Sequence, residues 1–163
     1  ELDLELEADF VIGFPGETWE EIRQTTNLGE ELDADAVKFA IATPFPGTEL
    51  FRKAVEKSYL PEDFDFYRDD ALGFAHGVIE TEEFTVQELE MLRCLEWDRI
   101  NFKTQAKKEK YAKMNMLTLA ELEEFRRETR RNVGVYFIDQ SEGEREGIDM
   151  VTKRDESVGS NFL

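Results

Sequence analysis

Two stretches of this sequence join an apolar run to a Pro-Gly turn and a carboxylate. Residues 9–18 read DFVIGFPGET, and residues 37–49 read VKFAIATPFPGTE. A glycine at such a turn lets the backbone approach a flat ligand ring closely. Glu17 has two interpretations: a catalytic acid, or an acidic residue in the first turn of a helix, where the helix dipole favours negative charge. The second interpretation is sufficient by itself, so Glu17 is not assigned a catalytic role.

The chain has one cysteine, Cys94, and one histidine, His76. These two side chains cannot form a Cys/His metal site by themselves. Cys94 falls on a predicted helix in a mainly apolar stretch, which predicts a buried thiol. His76 lies between Gly73 and Gly77 and is interpreted as a loop histidine, with substrate binding or proton transfer as the alternative. A lone cysteine excludes an internal disulfide and favours a reducing compartment, so we expect a cytoplasmic location.

Two β/α units in tandem must position these candidate residues. The apolar run before Pro15 predicts a buried strand, and Thr18 with Glu21 forms a capping box that opens a helix. The predicted buried stripe of this helix consists of Trp19, Ile22, Leu28 and Leu32. The second unit repeats the pattern, with Thr48 opening its helix. Two such units predict parallel strands joined by crossover helices.

The second predicted strand separates its side chains by size. The large side chains of one face are Val37, Phe39 and Ile41, and those of the other face are Lys38, Ala40 and Ala42. We expect the large side chains to meet the helices. The small face leaves room for a ligand over the strand ends, or for neighbouring side chains that fill the space.

Residues 61–84 form a long acidic and aromatic connection. Its aromatic residues are expected to pack, and they are Phe64, Phe66, Tyr67 and Phe74. Residues 85–134 are predicted to form a helical region, because capping boxes begin at Thr85 and Thr118 on either side of a basic stretch. Residues 135–163 are predicted to contain a short strand and a mobile tail. Residues 1–60 hold the two β/α units.

The formal net charge of −18 argues against broad binding to nucleic acid or to an anionic membrane surface. Residues 1–35 carry twelve acids and one base, whereas residues 101–131 carry nine bases and five acids. This asymmetry indicates either solvated helix faces or basic helices that pack against acidic parts of the same protein. No apolar run reaches the roughly 18 residues of a membrane span.

Taken together, the two Pro-Gly stretches resemble the late strands of radical S-adenosylmethionine (radical SAM) enzymes. The resemblance is closest to the subgroup with an N-terminal cobalamin-binding domain, which includes methyltransferases. It implies an α/β fold: the last two β/α units of a partial TIM-type (β/α)6 barrel, followed by a mainly helical C-terminal region. It also implies an enzyme that cleaves S-adenosylmethionine to a 5′-deoxyadenosyl radical with an electron from a 4Fe–4S cluster, with cobalamin as a further cofactor in that subgroup.

The resemblance implies a cofactor-binding set at the ends of the two strands. This set, on the adenine side of S-adenosylmethionine, consists of Val11, Gly13, Phe14, Ala42, Thr43 and Pro44. The family's fifth-strand pattern, Gly-x-Ile-x-Gly-x-x-Glu, is matched well only at Val11 and Gly13. Asp9 stands in place of the first glycine, and Glu17 comes one place late.

The family's CxxxCxxC cluster loop and its Gly-Gly-Glu stretch do not occur in this sequence. Both would lie upstream of Glu1, so we expect a fragment whose partners are the missing N-terminal half of the same protein and a small-molecule substrate. The resemblance then implies no catalytic residue and no metal ligand in this chain, which by itself would be inactive.

Two other hypotheses remain open. A non-catalytic α/β interaction module would fold as a stable monomer, whereas a barrel fragment would expose strand edges. A half-barrel of an unrelated aldolase-like or phosphate-binding enzyme is the other hypothesis. Glu17 and Glu49 at the two helix starts argue against a phosphate site, because an anion would be repelled there.

Overall fold

The computed structural model is an α/β arrangement in which a small parallel sheet is surrounded by helices, and it describes residues 4–67, 73–137 and 150–151. The elements are β1 (Glu7–Ile12), α1 (Trp19–Glu31), β2 (Ala36–Ile41), α2 (Glu49–Glu56), α3 (Val86–Asn101), α4 (Gln105–Met114), α5 (Leu119–Asn132), β3 (Tyr136–Phe137) and β4 (Met150–Val151). Within the described ranges, no helix is long and apolar enough to cross a membrane. The predicted tail falls outside the described residues except for β4, which pairs antiparallel with β3.

The strands β1 and β2 are parallel neighbours joined by α1, as the tandem β/α pattern predicts. Their register pairs Phe10 with Phe39 and Ile12 with Ile41. Ile12 and Ile41 pack with Ile22 of α1 and Leu89 of α3, and Phe39 belongs to a cluster with Trp97 and Ile100 in the second half of α3. The carboxyl ends of both strands therefore lie at one edge of the sheet, where the two Pro-Gly turns begin.

All three predicted capping boxes are present. Thr18, Thr85 and Thr118 each accept a hydrogen bond from the backbone of a glutamate three residues later, and that glutamate accepts one in return. Thr48 caps α2, as predicted. The basic stretch between the two C-terminal capping boxes is itself helical, and it forms α4 behind Thr104.

The buried stripe of α1 differs from the prediction at its C-terminal end. Leu28 and Leu32 are about half exposed. The buried residues of α1 are Ile22, Thr26 and Gly29. A Cβ atom at Gly29 would lie 2.9 Å from Cζ of Phe39 and 3.3 Å from Cε2 of Phe10. The helix turns its smallest residue to the sheet because the two stacked phenylalanine rings already fill that space.

The main core lies between the sheet and the C-terminal helices. Its buried members are Ala34, Ala36, Val37, Phe39, Trp97, Ile100, Phe102, Tyr111, Ala112 and Leu122. Trp97 makes edge contacts with Phe102 and Tyr111, at centroid distances of 4.9 and 6.1 Å. Residues 86–132 thus form one packed body with the two β/α units through this aromatic core.

The outer edge of β2 is closed by groups that are not strands. Asn101 accepts a hydrogen bond from Val37 N and donates one to Val37 O, both at 2.8 Å. At the other end of the strand, Ile41 N donates to Phe74 O at 2.8 Å. Within the described residues, the outer edge of β1 has no strand beside it. The sheet can therefore be extended only on the β1 side.

The lysines of α4 pair with the acidic loop that joins α1 to β2. Lys107 Nζ lies 2.7 Å from Asp33 Oδ1, and Lys110 Nζ lies 2.5 Å from Asp35 Oδ1. These contacts hold the pKa of Asp33 and of Asp35 below the usual aspartate range. Of the two interpretations of the charge asymmetry, packing of a basic helix against acidic parts of the same protein is confirmed here.

The prediction that the aromatic residues of the connection pack is correct only in part. Phe66 is buried and contacts Phe45 at a centroid distance of 5.4 Å. Tyr67 and Phe74 expose most of their side chains. Residues 68–72 of the connection lie outside the described residues.

Candidate functional site

The strand ends lie side by side at the edge where the two Pro-Gly turns begin. Ala42 N donates to Ile12 O at 2.8 Å, so Gly13 follows β1 next to the point where Ala42 follows β2. Gly13 has a φ of +84°, a conformation that favours glycine. A Cβ atom there would lie 2.7 Å from Cδ1 of Leu89 on α3. Gly13 is therefore required both by its backbone angle and by the helix packed against it.

Glu17 folds back onto the turn that precedes its helix. Its Oε2 accepts hydrogen bonds from Gly13 N at 2.6 Å and from Phe14 N at 3.0 Å. The two amides at the end of β1 are thus already occupied by a carboxylate. This geometry supports the structural interpretation of Glu17, and it argues against an anion such as phosphate at this turn.

The six residues predicted to contact the adenine differ in exposure. Val11 and Phe14 are 46% and 44% exposed, so the β1 side presents apolar surface. Ala42, Thr43 and Pro44 are buried. The Thr43 hydroxyl donates to Ile41 O at 3.3 Å. The structure therefore brings the six residues together at one end of the sheet, with the β1 half open and the β2 half covered.

A cavity of about 670 Å³ lies against the face of the sheet opposite α1. The strand residues that line it are Asp9, Phe10 and Val11 of β1 and Lys38, Phe39 and Ala40 of β2. Lys38 and Ala40 belong to the small-side-chain face, for which the sequence left open either room for a ligand or side chains that fill the space. The remaining walls come from the loop 74–76 and from side chains of α3, α4 and α5, namely Arg93, Trp97, Tyr111, Phe125, Thr129, Asn132 and the adjoining Val133.

The polar groups of the cavity are mostly engaged. Lys38 Nζ bonds Glu7 Oε2 at 2.8 Å, and this contact raises the pKa of Lys38. Trp97 Nε1 donates to the Tyr111 hydroxyl at 3.2 Å, and burial raises the pKa of that hydroxyl. Arg93 is the exception, because its buried Nε has no hydrogen-bond partner among the described residues.

His76 lies at the rim of the same cavity. Its Nδ1 is 3.3 Å from Glu90 Oε1, an oxygen that also accepts a hydrogen bond from Gly77 N at 3.1 Å. The side chain is about half exposed. This contact gives His76 a structural role in holding its loop to α3, and it also leaves the ring beside the cavity.

Cys94 is fully buried, as predicted, against Val133 and Val135. Burial raises the pKa of its thiol, which disfavours the thiolate that a metal would require. Among the described residues, no group of three His, Cys, Asp or Glu side chains is arranged to hold a metal ion. The part of the chain described here therefore offers no ligand set for an iron–sulfur cluster.

Short stretches of the chain are similar to enzymes. The chain is 47% identical over 53 residues to an uncharacterized methyltransferase of Pyrococcus horikoshii, a match that covers 32% of this chain and 12% of that protein. It is also 47% identical over 45 residues to the tRNA-2-methylthio-N(6)-dimethylallyladenosine synthase of Baumannia cicadellinicola, covering 28% of this chain and 10% of that protein. The synthase of the same name from Vibrio campbellii is 29% identical over 87 residues, covering 50% of this chain and 18% of that protein.

No family model matches this chain, and no solved structure matches it at a significant level. The matched stretches span between 10% and 18% of these three relatives. Over these short segments, the chain is similar to a protein named as a methyltransferase and to proteins named as tRNA-2-methylthio-N(6)-dimethylallyladenosine synthases.

The helical walls of the cavity are what sequence reasoning missed. Arg93 and Phe125 lie on helices α3 and α5, and their local patterns do not show that the two side chains meet at one cavity. One signal was present. Arg93 stands in a mainly apolar stretch directly before Cys94, where a charged side chain has few ways to reach water.

Proposed function

We propose that this chain is the C-terminal part of a radical SAM enzyme, with β1 and β2 as the fifth and sixth strands of a partial (β/α)6 barrel. Residues 1–60 supply two barrel units, residues 61–84 a connecting loop, residues 85–134 a helical cover and residues 135–163 a short strand and tail. The 47% identity over 53 residues to a methyltransferase carries this proposal, because it adds an enzyme relationship to the two strand motifs.

The form of the sheet supports the barrel assignment. One edge of β2 is sealed by Asn101 and by Phe74 O, whereas β1 has no strand beside it in the described ranges. The last strand of a partial barrel needs a closed outer edge, as β2 has. The strand that precedes β1 in such a barrel would pair with the open edge of β1. An independent interaction module would be expected to protect both edges, so this asymmetry weighs against that alternative.

The residues present do not fit an iron–sulfur cluster. The single cysteine is buried in the core, and the described residues contain no other ligand set. We therefore propose that the cluster cysteines belong to the missing N-terminal half of the same protein.

The residues present do fit the adenine end of S-adenosylmethionine. Val11 and Phe14 present exposed apolar surface beside the strand ends, and a flat apolar ring can cover it. Bound there, S-adenosylmethionine would supply the radical precursor. This chain would hold the adenine with Val11 and Phe14 and exclude water from it. Gly13 and Glu17 would keep the turn in shape.

The substrate and the second cofactor belong to the same proposal. The synthases similar to this chain have tRNA in their names, whereas the net charge of −18 opposes contact with a phosphate backbone. We therefore propose a small-molecule substrate and methyl transfer that uses cobalamin held by an upstream domain.

The test is reconstitution of the full-length protein with iron and sulfide under anaerobic conditions. We expect iron and sulfide contents of one 4Fe–4S cluster and formation of 5′-deoxyadenosine from S-adenosylmethionine. The Cys94→Ala variant is the matched control, and it must keep the same iron content because the buried thiol is not a ligand. Absence of both the cluster and 5′-deoxyadenosine would refute the proposal, and corrinoid analysis of the same sample tests the cobalamin assignment.

A pair of valine variants tests the adenine contact. Val11 and Val55 are 46% and 53% exposed, but Val55 lies on α2 and is not among the residues predicted to contact the adenine. Val11→Asp places a charge where an apolar ring is proposed to lie, so we expect at least a tenfold loss of S-adenosylmethionine affinity. Val55→Asp should bind as the wild type does. Equal affinities for the two variants would remove Val11 from the site.

A further inference from the structure

Arg93 is a partly buried charged side chain on the wall of the cavity. It lies on α3, its Nε is buried without a hydrogen-bond partner, and no ion pair to it is present among the described residues. Burial lowers the pKa of its guanidinium. A buried cation is normally paired with an anion, because desolvation without pairing is costly.

The acidic groups near Arg93 make their hydrogen bonds to other partners, although the charge of Glu90 acts to raise the pKa of Arg93. Glu90, one turn earlier on α3, accepts from Gly77 N and contacts His76. Asp98, on the same helix, accepts hydrogen bonds from Arg126 and Arg130 of α5. From the sheet, Asp9 is the carboxylate that lines the cavity, facing Lys38 on the neighbouring strand.

The cavity beside Arg93 is lined by positive and aromatic groups. Its lining contains the cations Arg93 and Lys38 and one carboxylate, that of Asp9, and Lys38 is already paired with Glu7. Its volume of about 670 Å³ lies within the range of sites for small organic ligands. The rings of Phe74 and Phe125 line it although they are 60% and 48% exposed, so they have aromatic surface that the described residues leave uncovered.

We propose that this cavity binds a small organic anion, a carboxylate or phosphate attached to an aromatic or apolar body, and that Arg93 is the residue that binds the anionic group. Arginine suits this role because its planar donors match the oxygens of both anions. The aromatic walls take the body of the ligand. Val11 lines this cavity and also belongs to the proposed adenine contact, so the two sites adjoin, and the anion site does not require that the protein uses S-adenosylmethionine.

Binding to the full-length protein, without reconstituted cluster, tests this inference. The probes are 3-phenylpropionate and phenyl phosphate, and 3-phenylpropanamide serves as the uncharged counterpart of the carboxylate. Titration is followed by calorimetry and by the fluorescence of the protein, since Trp97 lines the cavity. We expect the wild type to bind both anions at least tenfold more tightly than the amide.

Two matched arginine variants locate the anion. Arg93→Met should lose about 10- to 100-fold in affinity for both anions, the range expected for hydrogen bonds to a charged group. Its affinity for the amide should not change. Arg99→Met is the control, because Arg99 lies on the same helix but pairs with Glu30 and Glu96 outside the cavity. Arg99→Met should bind all three probes as the wild type does.

Several results would overturn the proposal. These are failure of the wild type to bind either anion, or equal binding of the anions by Arg93→Met and the wild type. The melting temperature without ligand tests whether a group of the protein itself pairs with Arg93. Removing an unpaired buried charge should leave it unchanged or raise it. A fall of several degrees in Arg93→Met but not in Arg99→Met would show that a carboxylate of the protein itself pairs with Arg93, which also overturns the proposal.

Discussion

Replacing Asn101 by alanine should destabilise the sheet more than any exposed substitution of the same type. Asn101 is 2% exposed and makes three side-chain hydrogen bonds, two to Val37 and one to Trp97 O, each at 2.8 Å. Trp97 O keeps its place in the ladder of α3, but Val37 N and Val37 O lose their partners. Two buried backbone groups left unpaired cost about 1–3 kcal/mol each, so we expect a loss of about 2–6 kcal/mol.

The assay is urea unfolding of the full-length protein together with amide hydrogen exchange of the peptide that contains β2. A loss of about 3 kcal/mol corresponds to faster exchange on the order of 100-fold, at 1.36 kcal/mol for each factor of ten. Asn101→Leu should behave similarly, because it keeps most of the volume and removes every hydrogen bond. That variant separates loss of hydrogen bonding from loss of packing.

Asn27→Ala is the control, since Asn27 is exposed in the middle of α1. It should change stability by no more than about 0.5 kcal/mol. If Asn101→Ala costs less than about 1 kcal/mol and exchange in β2 is unchanged, the edge of β2 is held by something other than Asn101. The inference that the sheet ends at β2 would then lose its physical basis.

Three further predictions concern packing, reactivity and pH. Gly29→Ala should destabilise the protein by about 1 kcal/mol in urea unfolding, although alanine has the better helix propensity, because the added Cβ would press on the ring of Phe39. In a Phe39→Leu background, the same change should be neutral or stabilising. Cys94 should resist a maleimide in the native protein at about pH 8 and react after unfolding in guanidinium, as followed by mass spectrometry of its peptide. The pKa values of Asp33 and Asp35 are lowered in the folded state. Their contribution to stability is therefore present above about pH 4 and is lost as the pH falls through the folded pKa values. The urea midpoint of Asp35→Asn should accordingly fall less steeply with acidification than that of the wild type.

Local patterns in the sequence determined the elements and their order. The capping boxes at Thr18, Thr85 and Thr118 lie where their helices begin, because a cap depends only on residues within one turn. The alternation of large and small side chains on β2 marked the face with Lys38 and Ala40 as a candidate for ligand space, because side-chain direction in a strand has a period of two, but it left open whether side chains fill that space. The buried state of Cys94 followed from its apolar neighbours.

Contacts between distant segments were decided by the tertiary structure. The stripe of α1 shifts from Leu28 and Leu32 to Gly29 because two phenylalanine rings, about 10 and 20 residues away along the chain, meet at that helix. Asn101 seals β2 across 64 residues of sequence, and no local pattern marks a side chain that replaces a strand.

The candidate site also has a part that the sequence indicates and a part that only the tertiary structure shows. The Pro-Gly turns, the predicted adenine contacts at the strand ends and the resemblance to radical SAM enzymes are all readable within two short stretches. The cavity with its unpaired Arg93 is not, because it exists only where the sheet meets α3, α4 and α5. A sequence states which side chains are charged or aromatic. Whether such a side chain is left without a partner depends on every segment that packs around it, and only the folded chain decides that.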